Sequence, residues 1–190
     1  VRSRRQRQMC IRDRVGSGQA KSTAIVAMTD VNYCVDACPY ELDNGADYVV
    51  SRALSNSYLH DNIRAKGGAY GDGINVSANM VYMFSYRDPN LDKTFEVYEN
   101  AYEWLRTRDF KEEDLNSLII GAYNMFDPLL TARQKSLTAF GMLLSHKTVD
   151  DTNRELGQAL KTDNESFKAF ADKLEAAMKN KGRAVLTNDK

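Results

Sequence analysis

The feature that most limits the fold of this chain is a run of alternating residues between Ile74 and Tyr86. Apolar side chains occupy every second position, which is the pattern of β structure with one buried face. They are Ile74, Val76, Ala78, Met80, Tyr82, Phe84 and Tyr86. One long strand and a hairpin that turns near Ser77–Asn79 both fit the alternation, and the hairpin is favoured because strands usually span about 5–6 residues. The run ends at Arg87–Asn90, where Asp and Asn flank a proline and predict a turn.

Two further β segments are predicted near the ends of the chain. Thr23–Ala37 is rich in β-forming residues and predicts strand structure with a break near Thr29–Asp30, and Arg183–Thr187 is short enough to be a closing strand. Apolar residues at i, i+3 and i+4 spacing predict helices over 43–64, 91–105, 115–126, 131–145, 150–160 and 165–178. Strands at both ends with helices segregated between them predict an α+β fold, in which one mostly antiparallel sheet is covered by helices on one face.

The composition suits one globular domain. The chain has 190 residues, of which 43% are hydrophobic, and this is enough to bury a core. No run of about 18 apolar residues offers a membrane span, so no membrane partner is expected.

The formal net charge of zero is the sum of two unlike parts. Residues 1–14 contain six arginines and one aspartate, a local charge of +5, so residues 15–190 must carry −5. The segment RRQRQMCIRDR resembles a translated sequencing adaptor, and we interpret residues 1–14 as a non-native basic arm. A solvated tail and an arm that binds nucleic acid are the alternatives, of which the second is disfavoured. Residues 15–22 are then a linker, and 23–190 form the α+β domain.

The cysteines and histidines indicate no metal site in this chain. Cys10, Cys34 and Cys38 are too few for a disulfide framework, and no second cysteine pair or nearby histidine completes a zinc site. We therefore interpret them as reduced thiols, buried in the protein. His60 and His146 belong to no zinc-binding motif. Reduced thiols, together with the absence of an apolar stretch after the basic arm, favour a cytoplasmic location.

One constellation of chemically useful residues follows the first predicted helix. Arg64 and Lys66 lie at its end, Gly67 and Gly68 form a flexible turn, and Tyr70 leads into the next strand. The guanidinium is a permanent cationic fork for a carbonyl or carboxylate, and the phenol is an adjustable hydroxyl donor. The spacing by itself fits a helix end with a turn and also fits a substrate-binding loop.

The longer strings around this constellation resemble a known family. The segments are 59–71, LHDNIRAKGGAYG, followed by 85–90, SYRDPN, with 30–33, DVNY, before them. Together they are similar to the C-terminal domain of pitrilysin/insulinase-type zinc metallopeptidases of the presequence-protease branch. The resemblance covers about Thr23 to Asp189.

The resemblance implies a division of labour between domains. Family members bind zinc through an H-x-x-E-H motif in an N-terminal domain that is absent here, so zinc is expected there and no cofactor in this chain. The C-terminal half would hold unfolded peptides in a closed chamber. On motif position, Arg64 and Tyr70 would bind substrate, Tyr70 would also stabilise the carbonyl oxyanion, and Lys66, Gly67 and Gly68 would shape the loop.

The expected partners follow from the same resemblance. They are the remaining domains of the same peptidase and unfolded peptides, which the acidic balance of residues 15–190 suggests are basic. Surfaces that normally pack on neighbouring domains predict an exposed apolar patch. The alternative function is a catalytically inactive peptide-binding module, or the inactive partner of a two-chain peptidase.

Overall fold

The computed structural model describes residues 22–188, which contain one five-stranded sheet. Its strands are β1 Ser22–Val26, β2 Asn32–Pro39, β3 Gly71–Ser77, β4 Met80–Asp88 and β5 Gly182–Thr187. Their order across the sheet is β1-β5-β2-β4-β3. Only β1 and β5 pair in parallel, so the predicted mostly antiparallel sheet is confirmed. The alternating run is a hairpin, with β3 paired to β4 and the turn at Ala78–Asn79.

The alternation divides the sheet into two unlike faces. Cys34, Asp36 and Cys38 of β2 are buried beneath helices, next to Val81 and Met83 of β4. The residues between them point to the opposite side, which we call the open face. It carries Tyr33, Val35, Tyr82, Phe84 and Tyr86, all of them partly or largely accessible to solvent. Helices therefore cover one face of the sheet, as the sequence predicted. The buried residues of β4 are not those of the predicted apolar series. Val76 pairs with Val81 across the two-residue turn, so Val81 and Met83 are buried and Tyr82 lies on the open face.

Seven α-helices lie within the described residues. They are α1 Ala46–Leu54, α2 Asp92–Glu99, α3 Ala101–Arg106, α4 Glu112–Tyr123, α5 Ala132–Leu144, α6 Val149–Ala159 and α7 Asn164–Met178. The main core forms where α1, α2, α3 and α7 meet the sheet, and its largest fully buried side chains include Leu54, Tyr98, Phe167, Phe170 and Leu174. A smaller cluster of Val49, Ala122 and Ala159 joins α1 to α4 and α6.

The first predicted helix differs from the expectation in its second half. After α1 the chain continues without a break as a π-helical segment, Ser55–Ala65. The backbone N–H of Lys66 donates to the carbonyl of Asp61 at 3.0 Å, which is the i to i+5 bond of a π-helix. Apolar periodicity indicates helix but does not distinguish the 3.6-residue turn from the wider one. Leu59 and Ile63 are still buried against the core.

Exposed apolar side chains concentrate on α5 and its neighbours. No residue of α5 is buried, and Leu137, Phe140, Leu143 and Leu144 are all more than half exposed. This agrees with the predicted apolar patch. No helix within residues 22–188 is long and apolar enough to cross a membrane. The predicted basic arm at 1–14 and all but the last residue of the predicted linker at 15–22 lie outside the described residues.

Candidate functional site

The end of the π-helical segment and the loop that follows it contain all five residues singled out in the sequence. Arg64 lies in the last turn of the segment, with its side chain exposed. The backbone N–H of Gly68 donates to the carbonyl of Arg64 at 2.9 Å, and Gly68 has φ +83°, a left-handed conformation that costs glycine little. The chain therefore reverses sharply between Arg64 and Tyr70.

A second loop fixes the first one in place. The Asn90 side-chain amide donates to the carbonyl of Gly67 at 2.6 Å. A cavity of about 320 Å³ lies between the first loop and the start of α2, lined in part by Lys66, Gly67 and Lys93. The Lys66 ammonium contacts the Asn62 amide oxygen at 3.4 Å. Lys66 and Gly67 are thus part of a cleft between the first loop and α2, in addition to the helix end.

Tyr70 lies at the sheet edge, where this loop enters β3. Its backbone N–H donates to the carbonyl of Arg87 at 3.3 Å, while its side chain is 60% exposed. The Tyr70 ring packs against the Tyr86 ring with centroids 5.6 Å apart. No hydrogen bond joins the Tyr70 hydroxyl to another residue within 22–188, so it is available to donate to a ligand.

Arg87 is a neighbour of Tyr70 that sequence reasoning missed. Its guanidinium carbon lies 5.3 Å from the centre of the Tyr70 ring, within the range of a cation–π interaction. Arg87 has φ +49°, a left-handed conformation that is uncommon outside glycine. The sequence predicted a turn at Arg87–Asn90, and SYRDPN also carried part of the family resemblance, but no role was assigned to Arg87.

The buried Asp88 holds the strained residue in place. Its carboxylate accepts hydrogen bonds from the hydroxyls of Ser85 and Thr94, each at 2.7 Å, and from the backbone N–H of Asn90 at 2.8 Å. Because three donors satisfy this fully buried group, the turn is rigid. The core therefore positions Arg87 and Asn90. These two residues in turn position Tyr70 and Gly67, to which they are hydrogen-bonded.

The electrostatics of the site are dominated by cations. Arg64 and Arg87 form no ion pair within 4.0 Å among the described residues. Burial raises the pKa of the Asp72 carboxyl, and the positive charges of His60 and Arg64 oppose that rise. The site therefore offers cationic groups and a free phenol hydroxyl to a carbonyl or carboxylate oxygen.

The described part of the chain has no cluster of three His, Cys, Asp or Glu side chains that could hold a metal ion. Cys34 and Cys38 are free and buried, which confirms the interpretation of these two thiols, whereas Cys10 lies outside the described residues. Burial raises the pKa of each of the two thiols to about 11. Neither thiol is therefore a nucleophile at neutral pH.

Solved structures with this fold are domains of proteases. The peptidase M16 inactive domain from Pseudomonas fluorescens superposes with a TM-score of 0.67 over 89% of this chain and 43% of its own, at 11% identity. The periplasmic protease PqqL from Escherichia coli gives a TM-score of 0.60 over 88% of this chain and 20% of its own, at 17% identity. At such identities these matches define the fold class alone, a helix-covered sheet of the peptidase M16 type.

The sequence match is more specific. A family model described as the PreP C-terminal domain matches residues 22–188, and the chain belongs to this family. Presequence protease 1, chloroplastic/mitochondrial, of Arabidopsis thaliana is 34% identical over 172 residues, covering 87% of this chain and 16% of the relative. Protein HypA of Clostridium perfringens is 29% identical over 174 residues, covering 89% of this chain and 18% of the relative. The chain thus spans about a sixth of the length of these relatives.

Proposed function

We propose that this chain is the C-terminal, non-zinc-binding part of a zinc metalloendopeptidase that degrades unfolded peptides in a closed chamber. Family membership supports the parent activity. The observation that carries the role of the site is the pairing of an exposed Arg64 with a Tyr70 whose hydroxyl has no partner within 22–188. The loop between them is hydrogen-bonded to the turn of the buried Asp88, through Tyr70 to Arg87 and through Gly67 to Asn90. Such fixed positioning is what transition-state binding needs.

The chemistry divides between this chain and the rest of the protein. A zinc site outside the chain would supply the attacking hydroxide. Arg64 binds the peptide through a backbone carbonyl, and the Tyr70 hydroxyl donates to the oxygen that becomes negatively charged as the carbonyl is attacked. Because Tyr70 reaches the reacting carbonyl only when the two halves close, peptide capture and catalysis are coupled.

The glycines and Lys66 act on the shape of the loop. The left-handed Gly68 reverses the chain, and the Gly67 carbonyl accepts the hydrogen bond from Asn90. Lys66 adds a cation to the cleft between the loop and α2. With Arg64, Lys66 and Arg87 close in the fold, the site attracts carbonyl and carboxylate oxygens. A preference for basic peptides stays a prediction and would have to arise elsewhere in the domain.

Two measurements test the proposal. The first is the fluorescence anisotropy of a labelled unstructured peptide titrated with the 190-residue chain, in which Arg64→Met and Tyr70→Phe each raise Kd. The second is turnover of the full-length peptidase that carries this domain, in which Tyr70→Phe lowers kcat/KM by about 10²–10³-fold, the effect of losing one oxyanion donor.

A matched control separates this role from a general effect of losing a phenol. Tyr123 is an exposed tyrosine of α4, outside the sheet, and Tyr123→Phe should leave both measurements unchanged. If Tyr70→Phe also leaves turnover unchanged while the protein stays folded, the assigned role of Tyr70 is wrong.

A second candidate is a catalytically inactive subunit of a two-chain peptidase. The similarity in fold to a domain described as inactive favours it. The two candidates differ in gene structure: an in-frame upstream extension that encodes H-x-x-E-H supports the single-chain peptidase, and a separate start of translation close to Val15 supports the subunit.

A further inference from the structure

Apart from Arg87, which is unpaired at the irregularity near the end of β4, the strand positions of the open face carry no charged side chain. The register of the five strands assigns to it alternate residues of each strand, and none of them is Asp, Glu, Lys or Arg. Its bulkiest members are Tyr33, Val35, Met80, Tyr82, Phe84 and Tyr86. On a chain that is 27% charged, a face of five strands with so few charges requires an explanation.

Four aromatic rings form a strip across this face and end at the proposed site. We call Tyr82, Phe84, Tyr86 and Tyr70 the aromatic strip. The rings of Tyr82 and Phe84 are 6.0 Å apart, and those of Tyr86 and Tyr70 are 5.6 Å apart. Arg87 closes the strip at its Tyr70 end. The strip is thus continuous with the group proposed to contact the reacting carbonyl.

Two glycines of β3 allow the rings of the strip to lie flat on the sheet. A Cβ atom at Gly71 would come within 2.3 Å of the Tyr86 ring, and one at Gly73 within 3.0 Å of the Phe84 ring. With only hydrogens at these two positions, the rings pack against the β3 backbone. Tyr86 nevertheless remains 37% exposed, so part of its ring is available for contact.

The spacing of the strip matches an extended peptide. Side chains on one face of a strand recur about every 6.6–6.8 Å, close to the ring separations within the strip. An extended peptide can therefore place every second side chain against successive rings. Charged side chains are disfavoured there, because they would lose hydration without gaining a partner on the open face.

We propose that the aromatic strip binds alternate apolar side chains of an extended peptide while Arg64 and Tyr70 hold its backbone. This inference rests on the proposed function and states which peptide side chains the proposed site would prefer. It predicts a preference for apolar or aromatic residues at every second position, independent of any attraction of the whole domain for basic peptides.

The test compares three short fluorescein-labelled peptides on the 190-residue chain by anisotropy. They share a Ser/Gly backbone and carry Leu or Phe, Ala, or Lys at the same three alternate positions. The apolar peptide should bind at least about tenfold more tightly than either of the others. Tyr86→Ser and Phe84→Ser should reduce this preference to less than about threefold, and Tyr123→Ser should leave it intact.

The remaining outcomes are distinguishable. Equal affinity for the three peptides, still weakened by Arg64→Met, overturns the strip and leaves the proposed function standing. An apolar preference, in which neither Arg64→Met nor Tyr70→Phe raises the Kd of any peptide, overturns the assigned backbone contacts and leaves the strip standing. No binding of any peptide overturns both.

If Tyr86→Ser fails to fold, NMR of the unsubstituted chain provides the test. Adding the apolar peptide must change the amide chemical shifts of Tyr33 and Tyr82 and leave those of α5 unchanged. The chain could instead associate with itself through the open face. If Tyr86→Ser abolishes that association and no peptide displaces it, the open face binds a second copy of the chain and the inference is wrong.

Discussion

Removing one partner of the ion pair between the buried Asp36 and Arg183 should destabilise this domain more than an ordinary surface substitution does. Asp36 of β2 is fully buried, and its two carboxylate oxygens accept hydrogen bonds from Nε and Nη2 of Arg183 at 2.8 and 2.7 Å. Arg183 lies opposite Asp36 in the β2–β5 register. The pair therefore ties the last strand of the domain to its centre.

The magnitude follows from what each side chain keeps after substitution. Breaking a buried pair costs about 3–5 kcal/mol, because one charge is left without compensation. Without Asp36, the Arg183 guanidinium retains Glu99 at 3.0 Å and the Phe95 ring at 3.8 Å, and its side chain is 25% exposed. We therefore expect Asp36→Asn to cost about 2–3 kcal/mol, toward the lower end of that range.

Urea unfolding followed by circular dichroism measures this cost. Asp36→Asn, Arg183→Met and the double variant form a cycle, in which the double variant should be less destabilised than the sum of the singles by about 1.5–2 kcal/mol. The thermal midpoint of each single variant should fall by about 5–10 °C, given about 2–4 °C per kcal/mol for a domain of this size.

Strict additivity in this cycle would refute the reasoning, since it would mean that the two side chains do not interact. A loss below about 0.5 kcal/mol for Asp36→Asn would refute it as well, because that is the range of ordinary surface substitutions. The control is Lys168→Met, which removes an exposed ion pair with Glu165 at 2.7 Å and should leave the unfolding curve unchanged.

Two further predictions concern titrating groups. The hydroxyl and backbone N–H of Thr148 donate to the Asp151 carboxylate and hold its pKa at about 2, below the value in the unfolded chain. The ionised carboxylate therefore stabilises the folded state fully above about pH 4, and this stabilisation is lost as the pH falls towards 2. Asp151→Asn should flatten the pH dependence of urea unfolding in that window, and an unchanged acid slope would contradict the assignment. Because burial raises the pKa of Cys34 and Cys38 to about 11, a Cys10→Ser chain should react slowly with a thiol reagent at pH 8 and fast in urea. Equal reaction rates with and without urea would show that the thiols are accessible in the folded state.

Much of the fold could be predicted because its signals are local. The alternation between Ile74 and Tyr86 predicted the β3–β4 hairpin, and the apolar stripes predicted the helical regions to within a few residues. They did not predict the break at Asn100, which divides the region 91–105 into α2 and α3. The break near Thr29–Asp30 also corresponds to the gap between β1 and β2. The order of the strands was not predictable in this way, because β5 lies between β1 and β2 although the whole helical region separates it from them in sequence.

The candidate site was predictable only in part. Arg64 and Tyr70 were singled out by their chemistry, but their roles came from a resemblance to a family, since their spacing alone also fits an ordinary helix end. Arg87 was missed, because its significance depends on a left-handed backbone and on a ring that precedes it by seventeen positions in the sequence. Asn90 was likewise part of a recognised turn, and its hydrogen bond to Gly67 joins two loops that the sequence shows separately.

The sequence did not determine the buried face of β4, where Val81 and Met83 are buried in place of Tyr82 and Phe84. By itself it determined which segments become strands and helices. Those properties depend on side-chain periodicity and on turn residues, which act over a few positions. Only the tertiary structure decided the π-helical form of 55–65, the placement of β5 and the contact of Arg87 with Tyr70. The placement of β5 depends on its pairing with β1 and β2, and the contact of Arg87 with Tyr70 joins two segments that are distant in sequence. The π-helical form is not visible in the sequence because apolar periodicity does not distinguish the two kinds of helical turn.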